Sequence, residues 1–305
     1  MPTVWRRRNG PVVPATGESG RVVAVTGAAG RVGAACLRAL SDTDDTVIAV
    51  DRVRGVGPGQ WRRADLRKAD AAHRALRGAT HVIHLAGHKQ PDPQLGWRVL
   101  ADNVSMTTNV LDALDSGPAG TAVLASTFCV YGFVFEPRIR SPRYLPVDED
   151  HPVGAADPYG TSKILIEHLA RAWTQRTGAT SVSLRFPWTA GLDEPTEITR
   201  YLGGLLDDPH SAMNRGCLWA SVHIDDLADA FVRSLGVADG AAHVLNIASP
   251  WVPGDVPLSQ LAAFDHPTSR RRADLDAYGP LDTTRARELL GWEPLRTYPG
   301  PTAPG

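Results

Sequence analysis

Thr26-Gly27-Ala28-Ala29-Gly30-Arg31-Val32-Gly33 is the stretch whose reading decides the fold. It lies between a short β-branched run, Arg21–Val25, and a helix-like segment, Arg31–Leu40. A glycine triplet alone is a common loop signal; between a strand and a helix it is what a dinucleotide-binding turn requires. Gly27 permits the tight turn, Gly30 lets backbone approach a pyrophosphate, and Gly33 lets the helix pack closely on the sheet. The helix N-terminus then presents free N–H groups and the positive end of its dipole to the phosphates. Gly27, Gly30, Arg31 and Val32 are therefore candidate dinucleotide-binding residues.

Outward from this turn, strand-like and helix-like segments alternate. Val47–Val50 reads as the second strand and ends at Asp51, a carboxylate placed to bind the adenosine ribose. Its charge repels a 2′-phosphate and favours NAD, whereas Arg31, Arg52 and Arg54 leave NADP open. Gln60–Asp65, His81–Leu85, Thr121–Ser126 and Ser181–Phe186 read as further strands. Ala69–Arg77, Gly96–Asp115 and Pro158–Thr177 read as helices, the last with Asp157 as N-cap and Gly178 as its stop. This rhythm predicts an α/β chain: a Rossmann-type doubly wound parallel sheet. Beyond about residue 190 the rhythm breaks, with sparse strands at Cys217–Val222 and His243–Ile247. The expected division is a flexible leader at 1–20 and a dinucleotide-binding domain at 21–190, to which 217–247 returns. A small C-terminal substrate-binding domain takes 191–216 and 248–305.

Composition excludes several classes. The chain has 305 residues, 43% hydrophobic and 21% charged, an ordinary globular balance. Lys plus Arg number 32 against 33 Asp plus Glu, which gives no reason to expect a nucleic-acid partner. No apolar run is long enough to span a bilayer, and Arg6, Arg7 and Arg8 are not followed by the apolar core of a secretory signal. Cys36, Cys129 and Cys217 lack metal-ligand spacing, so no metal is expected; they read as reduced thiols of a cytoplasmic protein.

Tyr159-Gly160-Thr161-Ser162-Lys163 places a phenol and an ammonium four residues apart, on one face of the helix that begins at Pro158. A free phenol, with a pKa near 10, is a poor base at neutral pH; adjacent positive charge favours phenolate and makes it a usable acid/base. With this pair the chain resembles the extended short-chain dehydrogenase/reductase family, the NAD-dependent epimerase/dehydratases, over about residues 21–294. The resemblance rests on the Gly turn, Asp65-Leu66, His84-Leu85-Ala86-Gly87, Asn103-Val104, Ser126–Gly132, Tyr159–Lys163, His223–Asp226 and Gly291–Pro294. It implies Tyr159 as general acid/base, Lys163 on the nicotinamide ribose and Thr127 on the reacting oxygen. It also implies Asp51, Asp65 and Leu66 around the adenosine, with Ala86 and Gly87 beside the cofactor. Asn103 either supports the site or merely kinks its helix.

The departures from the family pattern are informative. Phe128 and Cys129 occupy the two positions where family dehydratases carry an acid, which argues against dehydration. Trp188 and Trp219 stand where nucleotide-sugar members usually place an Asn and an Arg on the diphosphate. Either the substrate is smaller or less charged and meets Phe128, Trp188 and Trp219, or both indoles are core and Arg185 or Arg215 binds phosphate. In the other direction, His84–Lys89 resembles the stretch of 4-epimerases in which the Lys approaches the cofactor, while Lys89 equally suits a solvated loop; His88, in the same loop, either contacts substrate or is inert. The long, proline-rich segment Phe133–Ala156 carries Arg138, Arg140 and Arg143, which either receive an anion or pair with Asp148, Glu149 and Asp150. The resemblance implies a homodimer through the two long helices, although Ile166, Leu169 and Trp173 suit the monomer core equally. The expected activity is hydride transfer between nicotinamide and a secondary alcohol or hemiacetal carbon of a sugar-like small molecule. The alternative is nucleotide-sugar epimerisation.

Overall fold

The computed structural model describes residues 20–115, 117, 119–136, 140–190, 208–252 and 256–295. The expected leader up to residue 19, Arg138 and the stretch 191–207 lie outside the described residues. Seven parallel strands form the central sheet: β1 (Val22–Thr26), β2 (Thr46–Asp51), β3 (Gln60–Arg63), β4 (His81–His84), β5 (Thr121–Ala125), β7 (Thr180–Arg185) and β10 (Ala242–Asn246). β6 (Tyr144–Leu145) lies outside it. The order is β3-β2-β1-β4-β5-β7-β10, so the winding reverses between β1 and β4. In open α/β sheets the ligand crevice lies beyond the strand ends at that reversal.

Both faces of the sheet are covered. On one side α1 (Arg31–Leu40) and the later helix Ile224–Ser234 bury Cys36, Leu37, Leu40, Leu227 and Phe231 against Val23, Val25 and Leu184. On the other, α2 (Ala69–Ala75), α3 (Arg98–Leu114) and α4 (Pro158–Thr177) bury Ala72, Val110, Ile166 and Trp173 against Ala24, Ile48 and Leu124. Strands covered on both faces need near-continuous apolar runs, which Val22–Val25 and Val47–Val50 supply. Ile166 and Trp173 are buried in the protein's own core and Leu169 packs partly against it, so this stripe belongs to the monomer.

Two segments differ most from the sequence reading. α3 begins at Arg98 because Gly96 turns the chain with φ 52°. The run Cys217–Val222 is mostly turn: α5 (Ala212–Gly216) precedes it, Leu218 and Trp219 are left-handed, and only β9 (Ser221–His223) is extended. An apolar run does not by itself distinguish a buried turn from a buried strand. β9 pairs with β8 (Trp188–Ala190), apart from the main sheet.

The segment after β5 packs with the C-terminal region. Phe128, Tyr131, Phe133, Leu145, Trp219, Leu258 and Leu275 share one core, and β6 pairs with β11 (Arg270–Arg271). Asp148 is bound by Arg272 at 2.6 Å and Asp150 by Arg285 at 2.5 Å. Arg140 binds Glu136 at 3.2 Å. Among the described residues, the arginines that bind Asp148 and Asp150 are therefore C-terminal ones, and Tyr144 of the loop also donates to Asp148.

Candidate active site

A cavity of about 890 Å³ opens at the reversal point of the sheet. Gly27, with φ 67°, forms its floor; a Cβ there would sit 2.8 Å from Ala86 N. A Cβ on Gly33 would sit 2.3 Å from Gly27 O, so α1 packs directly on the turn. α1 has no side-chain cap and no acid in its first turn, which leaves its N-terminal dipole to an anion. At the end of β2, Asp51 accepts from Ala29 N at 3.1 Å and Val53 N at 3.2 Å, which ties it to the turn. A close-approach turn, an uncapped helix and an adjoining carboxylate are together the kind of donor and acceptor set that NAD needs.

Gly27, Gly30, Arg31, Val32, Asp51, Leu66, Ala86, Gly87, His88 and Lys89 all line this cavity, as do Thr127, Phe128, Tyr159, Lys163 and Trp188. Two sequence candidates do not. Asp65 turns aside to Arg67, which it binds at 2.7 Å, and Arg67 itself takes the place on the wall. Trp219 is a correction: it is 1% exposed, donates its indole N–H to Pro209 O at 2.8 Å and belongs to the C-terminal core. Left-handed backbone at Leu218 and Trp219 accompanies this burial in the turn. The two arginines offered as phosphate ligands are also committed elsewhere. Arg185 is buried on Glu167 at 2.7 and 2.8 Å, and Arg215 lies 3.7 Å from Asp265.

Asp157 starts the helix that carries the phenol by accepting from Tyr159 N at 2.8 Å and Gly160 N at 2.9 Å. Tyr159 and Thr127 line the same cavity. Burial pushes the phenol pKa above its ordinary value, and the Thr127 hydrogen bond only partly offsets this. Lys163 donates to Ala125 O at 2.8 Å and stands 5.8 Å from the centre of the Tyr159 ring. Burial lowers its pKa to about 8 against the opposing charge of Glu167, one turn further along α4. In the protein alone, then, the phenol is a proton donor at neutral pH. The expected lowering by positive charge is not expressed in this state.

A hydrogen-bonded chain that sequence patterns do not reveal joins the Gly turn to the helix that carries Tyr159 and Lys163. Thr26 Oγ1 accepts from Leu85 N and Ala86 N, each at 3.2 Å, so its hydroxyl donates to His84 Nδ1 at 2.7 Å. His84 Nε2–H then donates to Thr107 Oγ1 at 3.1 Å, and that hydroxyl donates to Asn103 O at 3.0 Å. The Asn103 amide accepts from His88 N at 2.7 Å and donates to Ser162 Oγ at 3.0 Å, and Ser162 donates to Tyr159 O at 2.6 Å. Asn103 is thus a side-chain brace between the loop after β4 and α4.

His84 must be neutral in this chain, and burial, followed by the charge of Lys163, lowers its pKa to about 3. A folded-state pKa below the unfolded one contributes stability above about pH 6.5 and loses it as pH falls toward 3. Stability is expected to fall by up to ~1.4 kcal/mol per pH unit from this group. Urea unfolding of a His84→Asn variant at pH 7 and pH 5 should show a shallower loss than the parent; equal slopes would remove His84 as a source.

Among the described residues, no helix is long and apolar enough to cross a membrane, and no three His, Cys, Asp or Glu side chains are grouped to hold a metal. The model of the NAD dependent epimerase/dehydratase family matches residues 23–248. The chain is 25% identical to a UDP-glucose 4-epimerase of Streptomyces lividans over 282 residues, covering 79% of this chain and 80% of that one. It is 34% identical to an L-arabinose 1-dehydrogenase (NAD(P)(+)) of Haloferax volcanii over 140 residues, 44% of this chain and 54% of that one. A short-chain dehydrogenase/reductase superfamily protein from Agrobacterium tumefaciens with bound NAD superposes with a TM-score of 0.69 at 25% identity, covering 91% and 93% of the two chains. With a reversed parallel sheet, a glycine turn shaped for a dinucleotide and a family match across most of its length, the chain belongs to the NAD-dependent epimerase/dehydratase family.

Proposed function

We propose that this chain is an oxidoreductase for a secondary alcohol or hemiacetal carbon of a sugar-like small molecule, with Tyr159 as general acid/base. The observation that carries this reading is the placing of Tyr159, Thr127 and Lys163 together on the wall of the cavity that the Gly27–Gly33 turn borders. NAD, when bound, supplies the hydride acceptor or donor. Gly27, Gly30, Arg31, Val32, Asp51, Leu66, Ala86 and Gly87 hold it, with Asp65 acting through Arg67 and Lys89 at the wall. Thr127 orients the reacting oxygen, Tyr159 moves its proton, and Lys163 holds the ribose side of the site. Phe128, Trp188 and His88 face the substrate; His88 is steadied by Asp102 at 3.1 Å. As an acid buried in its protonated form, Tyr159 is ready for carbonyl reduction. Oxidation requires it first to lose that proton under nearby positive charge.

Lys163 links this chemistry to pH. Because its ammonium loses a proton as pH rises through about 8, turnover should show an alkaline limb there. Lys163→Arg, which stays cationic, should move the limb to higher pH; a profile unchanged by that substitution counts against the role.

The second reading is nucleotide-sugar epimerisation, favoured by Lys89 on the cavity wall and by the epimerase relatives. Supplying NAD with free and nucleotide-linked sugars separates the two. Accumulating NADH supports the oxidoreductase, and isomer exchange without net reduction supports the epimerase. We further place the protein in the cytoplasm as a homodimer, supported by the unpaired cysteines Cys36, Cys129 and Cys217 and by the family resemblance. Light scattering that reads a single chain mass would remove the dimer.

A further inference from the structure

We infer that the substrate part of the cavity is a site for an uncharged free sugar laid on Trp188, and not for a sugar carried on a diphosphate. The inference rests on the hydride-transfer reading above and names its substrate class. A diphosphate buried in a cleft needs charge-assisted donors, most often guanidinium groups. Among the described residues that line the cavity from Ser126 to Cys217, Lys163 is the one charged side chain, and its ammonium donates to Ala125 O at 2.8 Å. The wall beyond it is apolar and soft: Phe128, Val134, Phe186, Trp188, Met213 and Cys217. The nearby arginines point elsewhere. Arg140 binds Glu136 at 3.2 Å, Arg185 is buried on Glu167, and Arg215 is next to Asp265.

Both indoles at the positions of the usual diphosphate ligands use their N–H groups within the protein. Trp219 donates to Pro209 O, and Trp188 donates to Cys217 Sγ at 3.2 Å. Cys217 in turn lies 3.7 Å from Met213 Sδ, so a pair of sulfurs fixes the edge of the Trp188 ring. Trp188 is 43% exposed and lines the cavity, so what it offers a ligand is flat apolar area. The axial C–H groups of a ring sugar suit such a surface. Thr189 and Ser211, also on the wall, are neutral groups of the kind its hydroxyls need. A carboxylate or a diphosphate entering this region would meet Lys163 alone among the described cations, and that ammonium already donates to Ala125 O.

Matched probes that differ in charge test the inference. NAD-loaded protein is titrated calorimetrically with glucose, galactose and arabinose, with glucuronate and galacturonate, and with the UDP-linked forms of the three neutral sugars. At least one neutral sugar should bind about tenfold or more tighter than its charged counterparts. Trp188→Ala should weaken that sugar about tenfold while NAD affinity, which reports intact folding, is unchanged. A UDP-linked or acidic form that binds as tightly as its neutral sugar overturns the inference. So does the absence of binding by every neutral sugar, or an unchanged affinity in Trp188→Ala. Neutral binding without NADH formation or isomer exchange supports this site while removing the hydride-transfer reading. NADH formed only with UDP-sugars does the reverse.

Discussion

Replacing Tyr159 by Phe is expected to lower turnover by about 10²–10⁴-fold while leaving NAD affinity unchanged. The substitution removes one oxygen and keeps the ring, which is 7% exposed and packed into the start of α4. Its backbone caps on Asp157 and Ser162 do not involve the phenol, so the helix and the lysine one turn later keep their places. No neighbour is suited to take over the proton. Burial pushes the Cys129 thiol up to about 12, and His84 is enclosed between Thr26 and Thr107. Among the described residues of the wall, His88 is the one imidazole, and it is held by Asp102. If His88 carried the proton, Tyr159→Phe would remain nearly fully active and His88→Ala would not. Steady-state rates of both variants, each with a measured NAD affinity, decide between the two.

The parallel sheet and the cofactor turn were legible in the sequence because their signals are local. Periodicity switches at Val25, Gly27 and Arg31 within a few residues, and the two best-marked helices, α1 and α4, have the bounds that their turns and caps specify. The pairing of β10 with β7 is less local, yet the short stretch His243–Ile247, with Val244, Leu245 and Ile247, still marks it as a strand. What was not legible depends on distant partners. Trp219 matched a family position by spacing, but two left-handed residues direct it into the C-terminal core. Asp65 matched a motif, but Arg67, two residues on, captures its carboxylate. Spacing specifies where a residue falls along the chain; which neighbour takes its polar atoms is settled by packing. For the same reason the brace from Thr26 through His84 and Asn103 to Ser162 emerges only from hydrogen-bond geometry, although each of its residues is visible in the sequence.

Gly33→Ala is expected to weaken NAD binding by about two orders of magnitude, equivalent to ~3 kcal/mol, and to lower the melting temperature as well. The added Cβ would stand 2.3 Å from Gly27 O and 2.8 Å from Ala28 Cα, both backbone atoms that no rotamer change can clear. Relief requires α1 to move away from the turn, which withdraws its uncapped N-terminus from the cavity and disturbs a helix that buries Cys36, Leu37 and Leu40. Gly30 offers the contrast. Its Cβ would lie 3.1 Å from Gly27 O, a contact a small shift accommodates, and the side of the residue toward the cavity is otherwise open. Gly30→Ala should therefore keep the parent melting temperature and still bind NAD more weakly, because the methyl group intrudes where the pyrophosphate passes the helix end. Calorimetric NAD titrations and thermal melts of the two variants separate a glycine needed for packing from one needed for ligand approach. An undiminished NAD affinity in Gly30→Ala would mean that the pyrophosphate follows another path across this turn.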